Sequence, residues 1–226
     1  NADPDAICAA FAFSRLLQIL RPTLSLEIAA AQGPSRLSNL LLQKIPIQLT
    51  NEPRIEEAEV IVLLDTNTIQ QLGEWSERVK TSKASLIVID HHASHPETER
   101  LATLCVADEK ASSTCEIVYH LFKEAGVELT QDEAKALFLG IAFDTRHFVL
   151  ASSSTFKVVA DLVDAGVKAE DALSLLSLPM NPSERIARLK ASKRSKLLRI
   201  NNWLVALSHV SAYQASAARA MTALGV

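Results

Sequence analysis

The sequence predicts an α/β protein built on a doubly wound, mostly parallel sheet. Short apolar runs bounded by polar residues recur along the first half of the chain. They show little polar alternation, which is typical of strands covered on both faces. Segments with the 3.6-residue period of a helix lie between and after them. Strand alternating with helix is the pattern of such sheets, and these sheets bind ligands beyond the carboxyl ends of their strands.

The apolar runs predict five strands, over 24–31, 45–49, 60–65, 86–90 and 101–107. Between and after them, the helical period covers 6–20, 35–43, 69–80, 113–126 and 132–143. The fourth of these helices has a marked start, because Ser113 and Glu116 match the capping-box pattern. Beyond Phe156 the pattern is helical at first and then returns to strand and helix, over 156–165, 169–177, 183–199, 200–210 and 211–225.

This change of pattern divides the chain into three parts. Residues 1–178 are expected to form the first domain, and residues 179–199 a basic linker helix. Residues 200–226 are expected to begin a second, smaller α/β domain. The chain starts at Asn1 without an initiator methionine and stops just after a helical segment. We therefore expect both ends to be cut from a longer protein.

The composition argues against several classes of function. The formal net charge is −3, so the chain as a whole does not attract nucleic acid. The three cysteines lie far apart without a CxxC pair, which argues against a disulfide framework or a zinc ribbon. No apolar run is long enough to span a bilayer, and no signal peptide opens the chain. The expected location is the cytoplasm, with no membrane partner.

Acids and histidines stand at the ends of several predicted elements. The candidates are Asp3, Asp5, Asp65, Asp90, His91, His92 and Asp144. Asp3 or Asp5 could simply cap the helix that follows, and Asp65 could form a turn through its side chain. Two adjacent imidazoles at the end of a buried strand, in contrast, serve no purpose in packing. An acid at position 144, after an apolar helix, needs a partner or a metal.

Together these side chains form an oxygen-rich ligand set supplemented by imidazole nitrogen. Such a set suits Mn²⁺ or Mg²⁺ better than Zn²⁺, which favours more histidine or cysteine. Five or six ligands exceed what one catalytic ion usually takes from protein. Two ions about 3.5–4 Å apart, bridged by a carboxylate, would use them all. Paired divalent ions are a common device for transferring a phosphoryl group to water.

The segments NADPDA, VLLDT, VIDHH and GIAFDT resemble, in order and spacing, the four motifs of the DHH phosphoesterases. The resemblance covers about residues 1–178, with the start of the DHH-associated domain from about 200. It is greatest to RecJ-like and nano-RNase-like members of the archaeal type. It implies a phosphoesterase that hydrolyses phosphodiester bonds of short oligonucleotides or cyclic dinucleotides through a metal-bound hydroxide. Two Mn²⁺ ions are implied, with Mg²⁺ or Co²⁺ as alternatives.

The resemblance also implies a role for each matching residue. Asp65 would bridge the two ions, one of which is also held by Asp3 and the other by Asp5, His91 and Asp144. His92 would contact the substrate phosphate, while Asp90 would orient the imidazoles. The family's first motif carries a histidine that would fall before Asn1, so we expect weak or partial occupancy of the first ion site.

Four questions stay open from the sequence. Arg146 and His147 could bind a second phosphate or could be ordinary loop residues. An inorganic pyrophosphatase or exopolyphosphatase is the first alternative function, although residues 201–225 resemble the nuclease-type associated domain more. A non-catalytic module that senses nucleotide is the second, and the full set of acids argues against it. The expected partner is a short oligonucleotide or a cyclic or linear dinucleotide, and a homodimer remains open.

Overall fold

A computed structural model describes residues 1–177 and 180–226. The chain divides into two compact units, residues 1–177 and residues 178–226. The predicted boundary between the first domain and the linker, at 178/179, lies outside the described residues. No helix of the described part is long and apolar enough to cross a bilayer.

The first unit contains a parallel sheet of three strands, which confirms the predicted α/β class. The strands lie in the order β1 (Val60–Leu64), β2 (Ser85–Asp90) and β3 (Leu104–Ala107). Leu64 at the end of β1 is in register with Ile89 near the end of β2. Because parallel strands end at the same edge of a sheet, the residues that follow β1 and β2 become neighbours.

The first unit also contains eight α-helices. They are α1 (Pro4–Leu20), α2 (Arg36–Leu41), α3 (Ser76–Thr81), α4 (Pro96–Leu101), α5 (Thr114–Glu124), α6 (Gln131–Asp144), α7 (Ser153–Asp164) and α8 (Ala169–Leu175). The hydroxyls of Ser35, Ser113 and Ser152 cap three of them, each accepting the N–H group three residues on. The side-chain oxygens thereby satisfy donors that lack a partner inside the helix.

Helix α6 is the central helix of this unit. Every residue from 136 to 142 is buried, because the segment ALFLGIA has no polar face. It shares one apolar core with α1 and α5, in which Phe122 and Phe138 are the largest fully buried side chains. A smaller cluster that includes Leu63, Leu86 and Val88 covers the sheet.

The predicted strands over 24–31 and 45–49 are wrong. In the part of the chain that the structure describes, these regions contribute only one isolated bridge, between Ala29 and Thr50. Ile45 is buried in the core formed by the helices. The apolar residues of 45–49 are therefore buried against helices. An apolar run of this length does not by itself distinguish such a segment from a buried strand.

The helix predicted over 69–80 is broken in two. Residues Ile69–Trp75 form a 3₁₀ helix, and α3 follows it. At the kink, Gly73 has φ 57° and ψ −122°, a conformation that glycine adopts at little cost because it lacks a Cβ. The capping box predicted at the start of α5 is half formed. Ser113 caps the helix, but the Glu116 carboxylate accepts the N–H of Ser112, at 3.0 Å, instead of that of Ser113.

The second unit contains two helices and a hairpin. They are α9 (Pro182–Arg194), the antiparallel strands β4 (Lys196–Ile200) and β5 (Trp203–Leu207), and α10 (Gln214–Thr222). The linker helix predicted to reach residue 199 is therefore too long. The backbone is already extended at Ser195, and the next five residues pair with β5. Basic residues favour a helix locally, and pairing with the neighbouring strand outweighs that preference.

Candidate metal centre

Asp5, in the first turn of α1, is fully buried, and its carboxylate accepts hydrogen bonds from the first residues of α5. Its Oδ2 accepts the N–H of Thr114 at 2.7 Å, and its Oδ1 accepts the N–H of Cys115 at 3.0 Å. These two amides belong to the first turn of α5 and have no partner inside that helix. A negative charge at this end of a helix is also favoured by the helix dipole.

Asp3 caps the N-terminus of α1, which was one of the two roles predicted for it. Its Oδ1 accepts the N–H of Ala6 at 3.1 Å, so it is the N-cap of α1. Burial is the main reason that the pKa of Asp3 is raised, and the charge of Asp144 raises it further. A cap therefore does not remove Asp3 from the electrostatic environment of the other acids.

Asp65 is the residue that follows β1, and its backbone is left-handed, with φ 54°. Aspartate is among the residues that tolerate this conformation. Its Oδ1 accepts the hydroxyl of Thr114 at 3.2 Å, and its backbone N–H donates to the carbonyl of Ile89 on β2 at 3.1 Å. Its carboxylate thus bonds to a residue distant in sequence and does not form the local turn that was the other reading.

Strand β2 ends in Asp90, and the two imidazoles follow directly. Asp90 is buried, and its Oδ1 accepts the backbone N–H of His92 at 2.9 Å. The same oxygen lies 2.7 Å from Nδ1 of His92. The ring centroids of His91 and His92 are 4.0 Å apart. Asp90 therefore fixes the orientation of His92, whose side chain is half exposed.

His91 faces two carboxylates from other elements. Its Nε2 lies 3.1 Å from Oδ2 of Asp144, the last residue of α6, and 3.7 Å from Oδ1 of Asp65. This nitrogen is buried and lacks a well-directed hydrogen bond to any residue that the structure describes. Donor atoms of Asp5, His91 and Asp144 lie within 4.8 Å of one another, as do those of Asp65, Asp90, His91 and His92.

The structure thus brings together residues from four separate segments of the chain. His91 belongs to both of these groups of donor atoms, while Asp3 belongs to neither. Arg146 and His147 are exposed in the turn after α6. Together with Phe148 they form three successive residues with left-handed backbone, φ 51°, 57° and 68°. Such runs are unusual for residues other than glycine.

Burial and mutual repulsion raise the pKa values of the clustered acids. Burial is the main cause for Asp5, whose pKa rises to about 7, and the charge of Asp144 adds to it. Burial also dominates for Asp65, whose pKa rises to about 8 with a contribution from Asp5. Burial lowers the pKa of His91, but the carboxylates of Asp144, Asp5 and Asp65 more than offset it and raise the pKa to about 9.

These shifts predict that the metal-free protein loses stability as the pH rises. Asp5, Asp65 and His91 all have folded-state pKa values above their ordinary values of 3.8, 3.8 and 6.5. Below these pKa values the native state therefore binds more protons than the unfolded state. Protonation thus stabilises the fold at low pH, and that contribution to the free energy of unfolding is lost as the pH rises from about 4 to about 9. We expect the melting temperature of EDTA-treated protein to fall by several degrees from pH 5.5 to 8.5. Scanning calorimetry checks this, and a melting temperature that rises over the interval contradicts it.

The donors present fit a divalent cation. A buried imidazole nitrogen without a hydrogen-bond donor or acceptor aligned to it faces two carboxylates. Leaving such a group without an aligned hydrogen bond is costly, and so is burying several negative charges beside one another. A cation removes both costs. Carboxylate oxygen and imidazole nitrogen are ligands that Mn²⁺ accepts, and Mg²⁺ takes mainly the oxygens.

Two features of this centre were missed by sequence reasoning. One is the pair of amides from Thr114 and Cys115 that seats Asp5. The other is Gly140 in α6, where a Cβ would lie 2.2 Å from Sγ of Cys115 and 2.7 Å from Oδ1 of Asp5. The available signal was a glycine inside an otherwise apolar helix. It weakens a helix by about 1 kcal/mol relative to alanine and often marks close packing.

The chain is similar to several known proteins. The family described as DHH family, N-terminal domain, matches residues 1–141. The chain is 33% identical over its whole length to an uncharacterized protein of Methanocaldococcus jannaschii, of which it covers 67%. It is 28% identical to a probable manganese-dependent inorganic pyrophosphatase of Lactococcus lactis, over 92% of this chain and 68% of that protein.

A solved structure is also similar. It is that of an exopolyphosphatase-related protein from Bacteroides fragilis, with a TM-score of 0.72 and 20% identity, and the match covers 87% of this chain and 59% of that one. At this identity the likeness shows the fold alone. This chain thus spans between 59% and 68% of the length of these three relatives. The family match covers more than half of the chain, and the chain therefore belongs to the DHH family.

Proposed function

We propose that this protein is a divalent-cation-dependent phosphoesterase that hydrolyses phosphodiester bonds of short oligonucleotides or cyclic dinucleotides. The observation that carries the proposal is the buried Nε2 of His91, which faces the carboxylates of Asp65 and Asp144 without a well-directed hydrogen bond among the described residues. An imidazole and carboxylates gathered at the carboxyl edge of a parallel sheet are typical of a cation site in this kind of fold. The family membership supports the same reading.

The cations would be held by Asp3, Asp5, Asp65, His91 and Asp144. Bound there, two Mn²⁺ ions would supply neutralising charge for the phosphate oxygens and would activate the attacking water. The raised pKa values of Asp5 and Asp65 mean that these groups must release protons when a cation binds. Asp65 is assigned as the shared ligand because the family resemblance implies it, and its Oδ1 lies 3.7 Å from Nε2 of His91, a ligand assigned to one of the cations.

His92 is assigned to the substrate. Its Nδ1 is held by Oδ1 of Asp90 at 2.7 Å, so the ring is oriented with Nε2 directed away from that carboxylate. Half of the side chain is exposed, which leaves Nε2 accessible to a phosphate oxygen. A hydrogen on Nε2 would be donated to that oxygen. Arg146 and His147, exposed in the turn just after Asp144, are assigned to a second phosphate.

Hydrolysis of inorganic pyrophosphate or polyphosphate is the second candidate. It is favoured by the relatives, since one is named a probable manganese-dependent inorganic pyrophosphatase and another is exopolyphosphatase-related. Both candidates need the same cations and the same activated water. They differ in whether the substrate carries a nucleoside on each side of the phosphorus that is attacked.

A substrate panel tests the proposal. Purified protein stripped with EDTA is incubated with an RNA dinucleotide, a cyclic dinucleotide or pyrophosphate, with Mn²⁺, with Mg²⁺ or without metal. We expect Mn²⁺-dependent release of nucleoside monophosphate and no turnover without metal. His92→Gln should lower kcat by about 100-fold or more, because it removes the imidazole that is assigned to hold the substrate phosphate. His120→Gln, which alters an exposed histidine on α5, is the matched control.

Three results would each contradict a part of the proposal: the preferred substrate, the catalytic activity or the dependence on a cation. Turnover of pyrophosphate alone establishes the second candidate. Tight binding of a cyclic dinucleotide with no turnover in Mn²⁺ points to a non-catalytic sensing module. Turnover that survives EDTA contradicts dependence on a cation altogether.

A further inference from the structure

Thr114 contacts two carboxylates of the metal centre that come from different parts of the chain. It is fully buried as the first residue of α5. Its backbone N–H donates to Oδ2 of Asp5 at 2.7 Å, and its hydroxyl donates to Oδ1 of Asp65 at 3.2 Å. A threonine hydroxyl has one proton to donate, and a carboxylate only accepts, so the direction of this second bond is settled when Asp65 is ionised.

The hydroxyl of Thr114 is not needed for the helix itself. Ser113 is the N-cap of α5, and its hydroxyl accepts the N–H of Glu116 at 3.1 Å. Threonine hydroxyls inside helices commonly bond back to a carbonyl of the preceding turn. At the first position of α5, the hydroxyl of Thr114 instead reaches a residue at the end of β1, 49 positions earlier in the chain.

Asp65 needs such a restraint. Its backbone is left-handed, and its side chain projects towards Nε2 of His91 and Nδ1 of His92, with Oδ1 3.7 Å from each. Among residues 1–177 and 180–226, Thr114 provides the one side-chain hydrogen bond in which the Asp65 carboxylate takes part. Without that bond no hydrogen bond from another described side chain fixes the rotation of the carboxylate about its Cβ–Cγ axis, a torsion with a broad intrinsic preference.

We propose that Thr114 is a positioning residue that holds the carboxylate of Asp65 in a fixed relation to that of Asp5. The inference rests on the proposed function, since it assumes that these carboxylates bind cations. One residue then sets the spacing of two ligands, one from α1 and one from β1. Groups that orient metal ligands in this way commonly contribute about 10- to 100-fold to metal affinity.

Substitution of the side chain isolates this role. Thr114→Val removes the hydroxyl at nearly constant volume and leaves the backbone N–H to Asp5 in place. We expect the dissociation constant for Mn²⁺, measured by isothermal titration calorimetry, to rise by about 10- to 100-fold. Thr114→Ser keeps the hydroxyl and should stay within about threefold of the wild type. Thr114→Ala provides a second variant without a hydroxyl, should the valine not be accommodated.

Thr155→Val is the matched control. Thr155 is also fully buried, and its hydroxyl also donates to a carboxylate, that of Glu116, at 3.1 Å. Glu116 is not among the residues assigned to the cations, so this variant should lose stability but keep the Mn²⁺ affinity of the wild type. A merely structural role of Thr114 would make the two variants behave alike.

The outcomes separate the inference from the function on which it rests. If the wild type binds no Mn²⁺, the proposed function fails. If the wild type binds Mn²⁺ and folded Thr114→Val or Thr114→Ala binds it equally well, the role of Thr114 fails alone. Loss of affinity in Thr114→Ser as large as in Thr114→Val also overturns the role, since the hydroxyl would then be irrelevant.

Discussion

Asp65→Asn is expected to abolish metal-dependent hydrolysis and, at the same time, to stabilise the metal-free protein. Asp65 is buried beside other acids, and its pKa is raised to about 8 by burial and by the charge of Asp5 and its neighbours. Removing its charge relieves that repulsion. The amide oxygen of asparagine can still accept the hydroxyl of Thr114, so the local packing is kept.

The two effects have opposite signs and are measured separately. At pH 8 and in EDTA, we expect the free energy of unfolding, measured by urea denaturation, to rise by roughly 1–3 kcal/mol. We expect the affinity for Mn²⁺ to fall by more than about 100-fold, because an amide is a much poorer ligand than a carboxylate. The decline of the melting temperature with pH should also become shallower, since one of the titrating groups is gone.

Asp108→Asn is the control for Asp65→Asn. Asp108 also follows a strand of the sheet, β3, but its side chain is exposed and accepts the N–H of Lys110 at 3.0 Å. We expect this variant to change neither the Mn²⁺ affinity nor the stability by more than about 0.5 kcal/mol. An Asp65→Asn protein that hydrolyses substrate normally, or that is less stable than the wild type in EDTA, contradicts the account of the centre.

Gly140→Ala should damage both the fold and the metal centre. The new Cβ would lie 2.2 Å from Sγ of Cys115, 3.1 Å from its Cβ and 2.7 Å from Oδ1 of Asp5. Alanine is the better helix former by about 1 kcal/mol, so a substitution without a clash would stabilise α6. Overpacking of a core typically costs about 1–3 kcal/mol, so we expect net destabilisation by thermal or urea denaturation. Displacement of Asp5 should lower Mn²⁺ affinity at least tenfold.

A double variant separates the two consequences of Gly140→Ala. Cys115→Ala removes the sulfur that would collide and keeps the backbone N–H that binds Asp5. Added to Gly140→Ala, it should recover part of the stability, while the contact with the Asp5 carboxylate remains and Mn²⁺ affinity stays low. Recovery of both to the wild-type values would show that Asp5 is not displaced. If Gly140→Ala has wild-type stability, α6 can move away from α1 and α5 without a cost in free energy, and the predicted destabilisation is wrong.

The expectations for Gly140 and Cys115 share one physical basis, which is the binding of the Asp5 carboxylate to the first turn of α5. Three helices meet there: α1 supplies the acid, α5 supplies two amides, and α6 supplies a glycine that lets them approach. The cost of burying a charge is offset by those amides and, in the proposed function, by a cation.

Local sequence determined a good part of this protein. Continuous apolar runs predicted the strands at 60–65 and 86–90. The 3.6-residue period of apolar residues predicted the helices around 6–20 and 132–143. The acids at their ends could be named in advance, because residue type and position at the end of an element are local properties. Ser113 likewise marked the start of α5.

Only the tertiary structure decided the rest, because it depends on which segments meet. The apolar segment 45–49 reads as a strand by itself, but its Ile45 is covered by helices. Residues 196–199 read as the end of a helix, and pairing with a hairpin partner made them part of a strand. Likewise, no local pattern shows that Thr114 joins Asp5 to Asp65, since those bonds span 109 and 49 positions of the chain. Contacts over such distances are set by packing, which no short window of sequence contains.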